Sequence, residues 1–225
     1  MAESIRVQME VGPKGKRFAA VAPDWPGLSR GAKSEGAAIE MIRTYLPRYA
    51  TVAKLAGMDA EFGADSSVEV ADRYPGTGST DFWGISFAFS DHDRRTMSGS
   101  ELERELTLMQ GCWTFFDDVR ARVSETLQKG PRGGGKDRDQ IVMHTFANEL
   151  QWKPRVGPGS PLSELLTDDG LRTHRETYIA AIRDLHSRGE MAGKWPLRYL
   201  IRHTAYHTLD HAWEMEDKDL THKAS

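Results

Sequence analysis

The chain is poor in cysteine: Cys112 stands alone among 225 residues. One thiol excludes an internal disulfide framework and suits a reducing compartment. Long hydrophobic runs are also missing, since no stretch approaches the ~18 to 20 apolar residues of a membrane span. Neither sign of charge dominates. Lys and Arg number 30 and Asp and Glu 33, giving a net charge of −3. That balance excludes a global pull toward nucleic acid or anionic membrane. The opening MAESIRVQMEV lacks the apolar stretch of a signal peptide, so a soluble, cytoplasmic protein is expected. No internal repeat stands out. With 39% hydrophobic and 28% charged residues, a chain of this length buries a sizeable core as one large domain or two small ones.

Two halves differ in texture. Residues 1–95 read as mixed α and β, and residues 96–225 as helices. In IRVQMEV, Ile5, Val7, Met9 and Val11 alternate, as in a half-buried strand. GPKGK supplies a turn, and RFAAVAP reads as the partner strand of a hairpin. PDWPGLSRGAKSEG reads as a loop, with Ser34 as N-cap of a following helix. Ile39, Ile42 and Leu46 mark that helix, and Pro47 is expected to kink or end it. SSVEVADRY and DFWGISFAFS read as two further strands. Beyond Gly99 a helix is expected from Ser98 or Ser100 to Gly130, with Leu102, Leu106, Met109, Trp113, Phe116 and Val119 as its core stripe. DRDQIVMHTFANELQWK follows, with Asp137 and Gln140 spaced as a capping box. A third helix ends at Gly189, and a fourth starts at Pro196. Four helices joined by loops predict a bundle, and the whole predicts an α+β fold.

The fourth helix carries His203, His207 and His211, three of only 8 histidines. Four residues turn a helix by about 400°, so all three share one strip beside the stripe Leu197, Leu200, Ile201, Thr204, Thr208, Ala212 and Met215. An adjacent pair at i and i+4 can grip one ion. His203 and His211 are ~12 Å apart along the axis, too far to share it. Either pair needs a third ligand from another helix, and His144 is the candidate. Three protein ligands leave a coordination position open, the pattern of a catalytic site. His92, His174, His186 and His222 read as surface or loop residues.

Residues from about 100 to 217 resemble the DinB-like four-helix superfamily, which includes metal-dependent thiol S-transferases and mycothiol-dependent isomerases. The resemblance rests on His144 in the second helix and on HTLDHAWEMEDK in the last. It implies that His144, His207 and His211 hold a divalent metal, with His203 outside the first coordination shell. Zinc is the first expectation, nickel or iron the next, and a low-molecular-weight thiol the co-substrate. It also implies a homodimer. RFAAVAPDWPGLSRGAKSEGAAIEMIRTYL resembles the HicB-type antitoxin domain, which implies a small α/β fold for the first half.

Asp210 and Glu214 each lie three residues after a proposed ligand, within reach of its imidazole. Glu214 is the candidate for general base or for orienting His211, and Asp210 for the outer shell or rim. Arg132, Lys136 and Arg138, with Lys129, surround a glycine-rich loop ahead of a helix N-terminus, a candidate hold for an anionic group of a cofactor. Cys112 reads as a buried, inert thiol, and Tyr206 and Trp213 as packing. The leading expectation is a metal-dependent transferase or hydrolase acting on a small molecule. The alternative is a non-catalytic binding or regulatory protein with a vestigial metal site.

Overall fold

Ile5, Val7 and Met9 put their side chains on one face of the first strand and are buried there. A computed structural model describes residues 4–131, 133–152, 155–157 and 160–221. Strand β1 (Ile5–Val11) pairs antiparallel with β2 (Phe18–Val21), which pairs antiparallel with β3 (Ser29–Ala32). Helix α1 (Glu35–Leu55) then crosses over, and β4 (Val68–Pro75) runs parallel to β1. The sheet order is β3-β2-β1-β4. A parallel neighbour requires such a crossover, and α1 supplies it. The stretch SRGA, read from sequence as loop, is therefore the third strand. Gly31 is required there: a Cβ would stand 1.8 Å from the Gly84 carbonyl oxygen.

Ser34 caps α1 as expected, accepting from Ala37 N–H. Pro47 does not end the helix, which continues to Leu55. Ala38, Ile42, Leu46, Tyr49, Val52 and Ala53 form one buried face on both sides of the proline, so packing carries the helix past it.

DFWGISFAFS is not a strand. It contributes the end of a one-and-a-half-turn helix, α2 (Gly78–Trp83), and an extended loop. The reason is Glu10, fully buried on the second face of β1. Its carboxylate accepts from Thr80 Oγ1 (2.5 Å), Ser86 Oγ (2.6 Å), Phe87 N (3.1 Å) and Ala88 N (3.2 Å). Amides that would have joined a ladder bind this carboxylate instead. A short helix, α3 (Asp91–Arg94), follows. Its Asp93 takes both arms of Arg202 at 2.7 Å, tying it to the last helix.

The second half holds the long helices α4 (Gly99–Arg122), α5 (Arg138–Trp152), α7 (Asp168–Ser187) and α8 (Leu197–Asp217), with one turn, α6 (Leu162–Leu165), between α5 and α7. The expected stripes of α4 and α8 are buried throughout. Helix α4 stops at Arg122, not at Gly130. Beyond it, Ser124 N–H donates to Asp219, Gln128 N–H to the Lys218 carbonyl and Leu127 N–H to Asp137. These tertiary partners replace the next helical turns. Asp137 and Gln140 make half a capping box. Gln140 Oε1 accepts from Asp137 N–H, while the Asp137 carboxylate turns to Leu127 and Lys129. One apolar cluster runs from Ile5 to Met215, shared by the sheet half and the helical half. The class is α+β, and no described helix is long and apolar enough to cross a membrane.

Candidate metal centre

Helices α5 and α8 pack side by side, which brings His144 against the α8 histidines. Ring centroids lie 5.4 Å apart for His144 and His207, 4.8 Å for His144 and His211, and 4.5 Å for His207 and His211. One ligand nitrogen from each lies within 4.8 Å of the other two. Among the described residues this is the group of histidine, cysteine or acidic side chains arranged to hold an ion.

Burial and the neighbouring His211 and Lys136 charges hold the His144 imidazole below its usual range. Burial first, then the other histidines and Lys136, push His207 down to about 2. Both rings are therefore neutral at physiological pH, with lone pairs to offer. His207 Nδ1 is buried without a hydrogen-bond partner. An orphaned ring nitrogen inside a histidine cluster is the state that a metal ion relieves, so the donor set fits one.

Glu214 fixes the third ring. His211 Nδ1 lies 2.9 Å from Glu214 Oε2, and Lys218 Nζ 2.5 Å from Oε1. The His211 hydrogen bond, with Lys218 behind it, outweighs burial and pushes the Glu214 carboxyl down to about 2. A carboxylate only accepts, so His211 Nδ1 carries the hydrogen and Nε2 is the nitrogen left to meet an ion. Both Glu214 oxygens are engaged, which suits orientation of His211 better than proton transfer.

His203 lies outside the cluster, one turn back on α8. It stacks on Tyr199 at 5.2 Å and meets Trp195 at 5.5 Å. Burial, then Arg202 and Arg155, push it down to about 3. Asp210 turns away from His207 and accepts from Arg30 at 2.6 Å, on the rim. Of the loop cations, Lys136 acts through its charge on His144 and His207. Arg138 is engaged locally by Asp139 (2.8 Å) and Glu125 (3.6 Å). Lys129 is engaged by Asp137 at 2.7 Å. Arg132 lies outside the described residues, as does His222. Cys112 is fully buried, and burial pushes its thiol well up, so it is inert. Trp213 is buried, with the Arg30 guanidinium 4.4 Å above its ring. Tyr206 lines a cavity of only about 10 Å³ with Arg202 and His203.

His174 corrects the sequence reading. It is buried at 2% exposure, 3.9 Å from Glu149 in the bundle interior, and not a surface residue. His92 and His186 are half-buried, and His186 Nε2 lies 2.8 Å from the Met97 carbonyl. Sequence reasoning missed two neighbours of the cluster. Trp152 packs edge-on against His207 (5.1 Å) and His203 (5.2 Å), and Asn148 Nδ2 lies 3.4 Å from His144 Nε2. Spacing carried both signals: they follow His144 by four and eight residues, on one side of α5.

Compared with known proteins, the chain matches no family model, no curated protein and no solved structure.

Proposed function

We propose that this is a divalent-metal protein of the DinB-like kind, acting as a metal-dependent transferase or hydrolase on a small molecule. The observation that carries the proposal is the meeting of three imidazoles from α5 and α8, two held neutral and the third oriented by Glu214. His144, His207 and His211 would hold the ion, zinc first and nickel or iron next. When bound, such an ion supplies Lewis acidity that favours the deprotonated form of a thiol or of water. The chain's own residues do the rest. Glu214 fixes the His211 tautomer and ring angle. Trp152 shields His207 on one side. Lys136 adds positive charge beside the cluster, which favours an anionic or thiolate substrate group over a cationic one. The first half, a meander leading through Ser34 into α1, supports a HicB-like reading of its fold. The single, buried cysteine supports a reducing, cytoplasmic setting.

Elemental analysis of protein purified without a histidine tag tests the reading. About one zinc, nickel or iron per chain is expected, lost in His144→Ala and in His207→Ala. Thiol-dependent turnover of an electrophile should disappear in the same variants. Metal retained without any turnover favours the regulatory alternative. No metal in the wild type, even after adding zinc or nickel, overturns the proposal.

A further inference from the structure

A cleft of about 870 Å³ opens between the two halves, away from the histidine cluster. Its wall on the sheet side carries Trp25 and Phe62, edge to face at 4.8 Å. Its helical side carries Glu101, Arg104 and Glu105 from α4, His92 from α3 and Arg198 from α8. Such a volume falls within the range of small-molecule sites, and junctions between structural units are where they concentrate.

The charges in the cleft are unevenly matched. Each of its three arginines already faces a carboxylate: Arg6 with Asp24 at 2.9 Å, Arg104 with Glu61 at 3.1 Å, and Arg198 hydrogen-bonded to Glu105. Glu101 is the fourth acid, 3.4 Å from Arg198. The guanidinium charge is therefore answered within the protein, which disfavours an anionic guest. Two acceptors remain open. Glu105 and Arg198 are each only 5% exposed, yet Glu105 Oε2 has no hydrogen-bond partner, and neither has His92 Nε2. One donor, Arg198 Nε, is likewise unmatched. Burial first, then the Arg198 charge, keep His92 neutral and so able to accept. Burial pushes the Glu105 carboxyl up to about 8 against the pull of Arg198.

We propose that this cleft binds a small organic ammonium compound, its N–H groups donating to Glu105 Oε2 and His92 Nε2 and its apolar body lying against Phe62 and Trp25. The match is chemical. An ammonium offers up to three donors, and the cleft offers two orphaned acceptors and aromatic surface. This site is independent of the metal proposal.

Calorimetric titration of the full chain with 2-phenylethylamine and with 2-phenylethanol, a neutral compound of the same shape, tests it. The amine should bind saturably and at least about tenfold tighter than the alcohol. Glu105→Gln and His92→Ala should each weaken the amine about tenfold or more and leave the alcohol unchanged. Binding should persist in chelator-treated protein, which separates the cleft from the histidine cluster. Should Glu105→Gln fail to fold, His92→Ala carries the test, because its ring is half-buried on a short surface helix. Equal affinities for amine and alcohol, no saturable amine binding, loss of binding on chelation, or binding indifferent to the variants would each overturn the proposal.

Discussion

Glu214 follows His211 by three residues, and helical geometry alone turns the two side chains toward each other. The 2.9 Å contact makes Glu214 the group that selects the His211 tautomer. Glu214→Gln keeps the shape but removes the charge and offers an amide that can present the wrong face to Nδ1. Metal affinity should fall about 10- to 100-fold, with little loss of thermal stability in the metal-free protein. Competition against a chromophoric chelator reads the affinity, and an unchanged constant would remove Glu214 from the site. The histidine cluster itself was legible because i,i+4 spacing is a local property of one helix. His144 was legible as a third member of that cluster, although its approach to α8 depends on packing. Lys129 and Arg138 are engaged by Asp137, Asp139 and Glu125, and nothing in a glycine-rich stretch foretells how it folds back on those acids.

Among the elements, the segment 76–90 is governed by one distant residue. Its four hydrogen bonds to Glu10 span 70 to 78 positions of sequence. Glu10→Ala removes the acceptor shared by two hydroxyls and two amides, so a loss of about 3 to 5 kcal/mol is expected. Glu10→Gln keeps part of the network and should lose less. Denaturant midpoints measure both, and a wild-type midpoint for the alanine variant would mean that other anchors hold the segment. The same residue explains why DFWGISFAFS misreads: its apolar alternation is real, but a buried carboxylate outcompetes a strand partner for its amides. The long helices were legible from their 3.6-residue stripes, whose burial face is a local pattern. The end of α4 and the strand β3 were not, since both depend on partners far away in the chain. Pro47 was read by its local cost, and the continuous buried face of α1 overrides that cost.

For the molecule as a whole, ionic ties stitch the sheet half to α8: Arg30 to Asp210, Arg48 to Glu216, and Arg202 to Asp93. Buried ionisable groups of this kind give stability a dependence on pH, and their signs differ. His203 is pushed down to about 3, so the folded state binds fewer protons than the unfolded chain. Its contribution is present above about pH 6.5 and is lost as pH falls toward 3. Glu149 runs the other way. It is 3% exposed, its oxygens lack hydrogen-bond partners, and Arg175 and His174 stand no nearer than 3.9 Å. Burial, opposed by Arg175 and helped by Asp117, pushes its carboxyl up to about 7, above an ordinary value of 4.5. The folded state therefore holds a proton that the unfolded chain gives up. The associated stability is full below about pH 4.5 and is lost as pH rises through about 7, roughly 3 kcal/mol in all. Glu149→Gln is neutral at every pH and escapes that loss. The difference in melting temperature between variant and wild type should thus widen in favour of the variant from about pH 5 to about pH 8, while the His203 contribution cancels between the two proteins. A difference that stays constant across that window would mean that Glu149 is already ionised in the fold, held by Arg175 at closer range.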